Sequence, residues 1–494
     1  MDLPKRDQQS WIAEAGPLAV LAAAPEPTDT SWVQVAPGAP YFVTEAGHPW
    51  TPIGQNDAVE WVELRDLFRG RDRPGVEAHL RWLRAEGVTC LRLMLEYAHK
   101  RHRYLERPVG RFVPDMVRLW DDLFALCESI GLKILLTPFD TFWTWLKWEH
   151  HPYNRVHGGP LLHPSEFLLC RESRQAIKAR LTFAVERWGG SHALFAWDLW
   201  NEIHPAQAGG SAECFGEFIA DLSHHVRGLE TRLYGRAHPQ TVSLFGPELS
   251  WRPEMNLRDP IFRHPDLDFA SIHIYQQGTI DAPRNTVDAA VSTGRIVREA
   301  LAEIRDGRPF LDSEHGPIHT FKDKRRSLPE RFDDEYFRHM QWAHLCSGGA
   351  GGGMRWPNRK PHVLTAGMRR AQRALSLFLP LIDWTSFRRG NLNAEVKSLS
   401  GHAVPFACGD DRQAVVWLLR ADTVGPDGTL DRAAPPLSTA IRVPGLAPGR
   451  YRATGWDTVA GAVAWELDVE ASARALTLTV PPFVADVAVA LRPA

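Results

Sequence analysis

Several things are scarce in this chain, and each scarcity removes a class of explanation. Its six cysteines (Cys90, Cys127, Cys170, Cys214, Cys346 and Cys408) are scattered over 494 residues without a CxxC pair. That spacing supports neither a disulfide framework nor a zinc ribbon, so unpaired, mostly buried thiols in a reducing compartment are expected. No apolar run approaches the roughly 18 residues of a membrane span. The weak apolar stretch 16–24 follows Glu14 rather than a basic flank and lacks a long hydrophobic core. It reads as structure rather than as a signal peptide, and a cytoplasmic address is expected. Neither sign of charge is in excess: 57 Lys+Arg stand against 59 Asp+Glu, for a formal charge of −2. Without a basic stripe, a nucleic-acid partner has no electrostatic support. No strand leads into a GxGxxG phosphate loop, and His150, His151, His157 and His163 fit no compact spacing such as HExxH. Neither a cofactor nor a metal is expected.

What is present is an ordinary globular composition, 44% hydrophobic and 23% charged, with an unusual 19 tryptophans. Length alone suggests two or three domains at roughly 150 residues each, although one barrel can absorb about 250 to 400. The middle of the chain alternates apolar runs with amphipathic segments. Strands are predicted at 41–56 (with a turn at Gly47), 88–97, 133–139, 193–200, 241–246, 269–275, 308–313 and within the glycine-rich 348–356. Helices are predicted at 74–86, 114–130, 173–188, 216–233, 288–305, 333–345 and 367–381, with a short irregular segment after the fifth strand. Several open on proline and stop at glycine, as Pro74 and Gly87 do. Eight near-continuous apolar strands alternating with helices predict a parallel sheet buried on both faces, closed as a (β/α)8 TIM barrel. The glycines 348–353 read as part of the last strand, packed tightly at the barrel seam.

Past Trp384 the helix signal vanishes. Short alternating segments such as AVVWLLR and ALTLTV, split by Pro/Gly turns, predict a small all-β sandwich. The expected organisation is an N-terminal extension over 1–38, able to pack on the C-terminal domain, a catalytic barrel over 39–385 and a β-sandwich over 386–494.

In such a barrel, chemistry gathers at the C-terminal strand ends. The polar residues there are Asn56 and Asp57, Arg92 and Glu96, Asp140, Asn201 and Glu202, Glu248, His273 and Tyr275, Glu314 and His315, and Arg355 and Trp356. Glu202, in WDLWNEIHP, and Glu314, in FLDSEHGP, stand out as a carboxylate pair facing each other across the mouth. Glycosidic bond cleavage needs such a pair: a protonated acid for the leaving oxygen and an ionised carboxylate for the anomeric carbon. Singly, each residue has a plainer alternative. Arg92 can pair with Asp57 or Glu96, His273 can be a satisfied core histidine, and Trp356 can be barrel packing. Asp312 should lie one layer deeper and serve structure.

Together, the strand-four Asn-Glu, the strand-six His-x-Tyr, the strand-seven Glu and the strand-eight Trp resemble clan A retaining glycoside hydrolases, most closely family 5. The resemblance covers residues 40–385. It implies Glu202 as acid/base, Glu314 as nucleophile, and Arg92 as the cation that keeps Glu314 ionised. It further implies Asn201 as donor to the sugar 2-hydroxyl, Tyr275 bonded to Glu314 with His273 beside it, and Trp356 as the floor under the reacting sugar. Family members often carry a histidine at the end of strand three, where this chain has Phe139-Asp140; that region resembles mannanase-like members.

Asn56, Asp140 and Trp143 complete the expected sugar-binding set, with Glu96 and Glu248 as weaker candidates. Trp143, Trp145 and Trp148 read either as a wall of sugar subsites or as a hydrophobic cluster under a long loop. The loop from Asp140 to about Ser173 is long enough to block one end of a cleft. Exo-type hydrolysis of short β-linked oligosaccharides is therefore expected, against an open endo-mannanase-like groove. Transglycosylation fits the same intermediate. A barrel that binds carbohydrate without turnover needs no carboxylate pair, and a Schiff-base aldolase needs a strand-end lysine that the chain lacks. A carbohydrate is the expected partner, with no nucleic acid and no membrane.

Overall fold

Punctuation in the sequence sets where the helices begin and end. The first, α1 (Arg73–Ala85), is capped by the Asp72 side chain, which accepts from Gly75 N at 3.0 Å, and it carries proline in its first turn. The second, α2 (Pro114–Ile130), opens on proline and closes on Gly131 in the left-handed conformation (φ 79°). These features belong to a computed structural model that describes residues 31–96, 103–246, 252–275, 283–317 and 327–494.

Eight strands form the central sheet: β1 (Gly54–Asp57), β2 (Cys90–Met94), β3 (Lys133–Thr137), β4 (Leu194–Asp198), β5 (Gln240–Thr241 and Ser243–Phe245), β6 (Ala270–Ile274), β7 (Phe310–His315) and β8 (Met354–Arg355). Further helices are α3 (Arg171–Trp188), α4 (Phe215–Tyr234), the single turn α5 (Asp259–Phe262), α6 (Thr286–Glu303), α7 (Glu330–Cys346) and α8 (Ala366–Phe378), and a short helical turn, Phe142–Leu146, follows β3. All strand pairs are parallel. The first half of β5 pairs β4 and its second half pairs β6, so the ring closes through a strand interrupted at Val242. This is the expected (β/α)8 barrel.

Two expectations about its edges need correction. The segment 41–56 is not one barrel strand. Phe42–Thr44 and Pro49–Trp50 form a hairpin, joined antiparallel by Val33–Val35, and only Gly54–Asp57 enters the barrel. Residues 33–35 thus extend this small sheet rather than the C-terminal domain; residues 1–30 lie outside the described part. Phe42 meets Phe195 and Phe269 edge-on at 4.9 and 5.4 Å, so the hairpin plugs the end where the strands begin. The glycines 348–353 form a loop entering β8 rather than strand. They do pack tightly: Gly351 and Gly353 have positive φ, and a Cβ on them would sit 2.2 Å from Pro52 O and 2.8 Å from Asp312 Oδ2.

The C-terminal domain has nine antiparallel strands: β9 (Gly390–Asn391), β10 (Lys397–Ser398), β11 (Ala403–Gly409), β12 (Ala414–Arg420), β13 (Leu437–Pro444), β14 (Gly449–Asp457), β15 (Ala462–Ser472), β16 (Ala475–Phe483) and β17 (Asp486–Pro493). The expected sandwich is hydrogen-bonded as one sheet, in the order β9-β11-β12-β17-β14-β15-β16-β13-β10. The sheet turns back on itself because β15 pairs β14 along its length but β16 only through Ala471 and Ser472. Ile441, Val443, Leu476 and Leu478 then share a core with Val416, Leu418, Val489 and Leu491. The domain is anchored on α7 and α8. Arg338 pairs with Asp486 at 2.7 Å, Trp456 Nε1 donates to Ala374 O at 3.2 Å, and Phe378 lies edge-on to Trp456 at 5.9 Å.

All six cysteines are free. Among the described residues no helix is long and apolar enough to cross a membrane.

Candidate active site

The polar centre of the barrel is organised by one buried cation. Arg92, on β2, has a fully buried side chain. It donates through Nη1 to Asn56 Oδ1 (2.8 Å) and Glu314 Oε2 (3.1 Å), and through Nη2 to Asp198 Oδ2 (2.8 Å) and Asn201 Oδ1 (2.5 Å). A guanidinium out of water is tolerable only with its charge and donors matched. Here Asp198 and Glu314 outweigh the burial that would otherwise depress its basicity, and hold its pKa above the ordinary arginine value. The alternative partners, Asp57 and Glu96, are engaged elsewhere. Asp57 accepts from Ala58 N, and Glu96 forms a two-pronged pair with Arg180 at 3.0 and 3.1 Å.

Asp198 was not among the sequence candidates, nor was Ser243. Asp198 also accepts from Ser243 N and Oγ at 3.0 and 2.9 Å, and Ser243 Oγ in turn accepts the backbone N–H of Glu202 at 3.3 Å. A carboxylate inside the apolar run ALFAWDLW had to meet a buried cation, and that signal was available.

Glu202 follows β4 with φ 48°, a left-handed conformation that a non-glycine residue holds at a cost of about 1–3 kcal/mol. That turn aims its carboxylate at His273 Nδ1, 2.7 Å from Oε1. Glu314 is held from two sides: the Tyr275 hydroxyl donates to Oε1 and Arg92 to Oε2. Glu202, His273 and Glu314 each offer an atom within 4.8 Å of the others. The convergence depends on a bulge. Register between β6 and β7 shifts after Ile272, so Ser313 is the extra residue and His273 lies opposite Glu314.

Burial lowers the His273 pKa to about 4, so the ring is neutral near pH 7; facing a carboxylate, Nδ1 is assigned the ring hydrogen and donates to Glu202. Burial raises the Glu314 pKa, with the Glu202 charge adding to it and with His273, Arg92 and Tyr275 opposing. The two carboxylates therefore have different partners: a cation and a phenol on Glu314, a neutral imidazole on Glu202.

Aromatic side chains flank this polar centre. Trp143 and Trp356 pack against Ala58, Trp61 and Met94, and Trp61 meets Trp356 edge-on at 5.1 Å. Trp61, in the loop after β1, was also missed; an aromatic residue just past a strand end was the clue. The other two tryptophans of the strand-three loop do different things. Trp148 stacks on His151 and donates to Leu162 O at 3.2 Å, so it belongs to the loop's own core. Trp145 lies on the surface against His163.

Some candidates have their polar atoms engaged by protein partners. The Asn56 amide is consumed by Ser313 O, Met354 O and Arg92, so it supports the cation rather than a sugar. Asp140 spends both carboxylate oxygens on Asn201 Nδ2 (2.5 Å) and Trp143 N. Arg355 is paired with Asp333 at 2.6 Å, and His315 with Asp312 at 2.9 Å, which agrees with a structural Asp312. Glu248 lies outside the described residues. Two groups gather three metal-capable side chains among the described residues: Glu202–His273–Glu314, and Asp57–Glu63–His79, where Arg369 stands 3.9 Å from Glu63. Neither combines the ligands of a usual structural zinc site.

No family model matches the chain. The protein named “Probable mannan endo-1,4-beta-mannosidase F” of Aspergillus flavus is 25% identical over 274 residues, 54% of this chain and 55% of the relative. Its namesake in Aspergillus oryzae is 25% identical over 209 residues, 41% of this chain and 42% of the relative. The chain thus spans about half the length, or less, of these curated relatives. Among solved structures, a family 5 glycoside hydrolase from Bacteroides vulgatus superposes with a TM-score of 0.58 at 11% identity, covering 94% of each chain. An endo-β-1,4-mannanase from Thermotoga petrophila gives 0.50 at 13%, covering 87% of this chain and 91% of its own. The fold is therefore that of the family 5 barrels, as the strand-end residues suggested.

Proposed function

We propose that the chain is a retaining β-glycoside hydrolase in which Glu314 is the nucleophile and Glu202 the acid/base. The observation that carries this reading is that one oxygen of the Glu202 carboxylate lies within 4.8 Å of one oxygen of the Glu314 carboxylate, with His273 Nδ1 between them at 2.7 Å from Glu202 and 3.7 Å from Glu314. Retaining enzymes hold the pair roughly 5 to 5.5 Å apart, whereas inverting enzymes need about 6.5 to 9.5 Å to seat a water between carboxylate and sugar. The unequal partners supply the unequal roles. Arg92 and Tyr275 favour the ionised form of Glu314, which attacks the anomeric carbon. The bond to the leaving oxygen breaks as that oxygen takes a proton from Glu202. A covalent glycosyl-enzyme results, and Glu202, now ionised, removes a proton from the water that releases the sugar.

The names of the Aspergillus relatives support a β-mannosidic substrate. We further propose exo-type action on short oligosaccharides or glycosides. It is supported by the strand-three loop, which turns only Trp143 of its three tryptophans toward the mouth cluster. A reducing, cytoplasmic setting, which would suit short substrates, is proposed on the six unpaired cysteines. The endo reading is favoured by the relatives' names. Viscometry on a soluble mannan separates the two: slow viscosity loss with steady release of reducing sugar supports exo action, and a rapid drop before much reducing sugar appears defeats it. Proton NMR of the first-formed anomer tests retention directly.

A further inference from the structure

The Asp140 carboxylate lies beneath the mouth and connects two features the glycosidase reading treats separately. Its Oδ1 accepts from Asn201 Nδ2 at 2.5 Å, and its Oδ2 accepts from the backbone N–H of Trp143. A short parallel bridge between residues 140 and 201 places the two side chains at the same level of the barrel. On its other side, Asn201 Oδ1 takes a hydrogen bond from Arg92 Nη2 at 2.5 Å.

We propose that Asp140 is a positioning residue. It sets which way the Asn201 amide faces, so that the second Nδ2 hydrogen is presented to the 2-hydroxyl of the reacting sugar, and it ties that orientation to the Trp143 wall. The inference rests on the glycosidase reading and extends it to the group that reads the 2-position.

The two ends of an asparagine amide are nearly isosteric, so only their partners decide the orientation. While Asp140 is ionised, the partners leave no choice. A guanidinium has donors and no acceptor; an ionised carboxylate has acceptors and no donor. Rotating the amide by 180° would set NH2 against N–H at Arg92 and oxygen against oxygen at Asp140. One Nδ2 hydrogen is used by Asp140 and one remains. Arg92 alone would fix the carbonyl end but would leave the plane of the amide free to tilt; the second bond removes that freedom. Because the same carboxylate holds Trp143 N, a change at Asp140 disturbs the 2-hydroxyl donor and the aromatic wall together. Burial pushes the Asp140 carboxyl up to about 7, against the opposing bond from Trp143 N. The restraint on the amide from both sides is therefore complete only above that pH.

The test compares Asp140→Asn with wild type on three aryl substrates. These are 2,4-dinitrophenyl β-D-mannopyranoside, the matching β-D-glucopyranoside and the 2-deoxy-β-D-arabino-hexopyranoside. Mannose and glucose differ only at C2, so the 2-deoxy sugar is the common control. An amide in place of the carboxylate can accept one of the two bonds but opposes the other. The expected result is a loss of about 10²-fold in kcat/KM on the better 2-hydroxy substrate, the scale of one misplaced transition-state donor. The loss on the 2-deoxy substrate should be smaller by at least about tenfold. Asp140→Ser repeats the comparison should the asparagine variant fold poorly. In an Asn201→Ala background, Asp140→Asn should add little further loss on the 2-hydroxy substrates. Equal losses on 2-hydroxy and 2-deoxy sugars, or additive losses in the double variant, overturn the positioning role. Wild type cleaving none of the three substrates overturns the glycosidase reading, and this inference with it.

Discussion

The two ends of the barrel are built from opposite materials. Where the strands begin, Phe42, Trp50, Phe195 and Phe269 form ring contacts at 4.5 to 6.2 Å, without a charge among them. Where the strands end, Arg92, Asp198, Asn201, Tyr275 and Glu314 share one hydrogen-bonded network, to which Ser243 joins Glu202 and His273. The closed end gains from every contact, because aromatic burial is favourable whatever the exact geometry. The open end holds a left-handed glutamate, a neutralised histidine and carboxylates pushed up by burial, and it is stable only as a matched set. The comparison teaches where stability is made in this fold and where it is given up for chemistry.

The comparison can be broken most sharply at the carboxylates. Glu314→Ala should lower turnover by about 10⁴-fold or more, with a smaller loss of stability than Arg92→Ala because Asp198 still pairs the guanidinium. Azide should restore activity with a product of inverted configuration. Glu202→Ala should cost about 10²- to 10⁴-fold on natural alcohol leaving groups, yet spare activated aryl ones. Swapped phenotypes would reverse the two roles.

Next in size is Arg92→Ala, which leaves Asp198 and Glu314 buried without their cation. Denaturant titration should show a loss of about 3–5 kcal/mol, and kcat should fall more than KM rises. An effect confined to KM would make Arg92 a substrate clamp.

At the closed end, Phe195→Ala should also cost about 3–5 kcal/mol of stability, through lost burial and a cavity. Its kcat/KM should stay close to wild type at a temperature where the variant is folded. A rate loss as large as that of Arg92→Ala would mean the two ends are mechanically coupled.

The smallest effect concerns pH. His273 and His339 are held near 4 and His79 near 3 by burial, each below its unfolded value of about 6.5. A depressed histidine pKa gives stability that is present above the unfolded value and lost as pH falls through the folded one. The histidine contribution should therefore decline as pH drops from about 6.5 toward 4, against the opposite slope of Asp140 and Asp312, whose carboxyls burial pushes up to about 7 and about 8; equilibrium unfolding of wild type beside a His273 variant isolates it. His273→Gln should flatten that slope. In NMR titration the wild-type ring should show no protonation between about pH 5 and 8; a midpoint near 6.5 would remove the neutral donor assigned to it.

How much of this was legible in sequence differs from residue to residue. Glu202 and Glu314 were visible because a polar residue closing an apolar strand has few reasons to be there, and the helix ends were visible because Pro74, Gly87 and Gly131 act locally. Asp198 was not recognised, although a charge within an apolar run demands a partner, because the partner Arg92 lies on another strand. Asn56 and Asp140 were placed at the right level of the barrel but given the wrong neighbours. Which way a strand-end side chain turns depends on donors brought in from strands β2, β4 and β7.

The sequence by itself determined the alternation of strands and helices, the change to an all-β C-terminal region and the carboxylate pair at the strand ends. These follow from periodicity, turn chemistry and residue type, which operate over a few neighbouring positions. Only the tertiary structure decided that β5 closes the ring through a break at Val242, that Ser313 is extruded so His273 meets Glu314, and that one buried guanidinium joins Asn56, Asp198, Asn201 and Glu314. Register shifts and buried charge networks are settled by the summed demands of several strands at once, and no local stretch of the chain contains that sum.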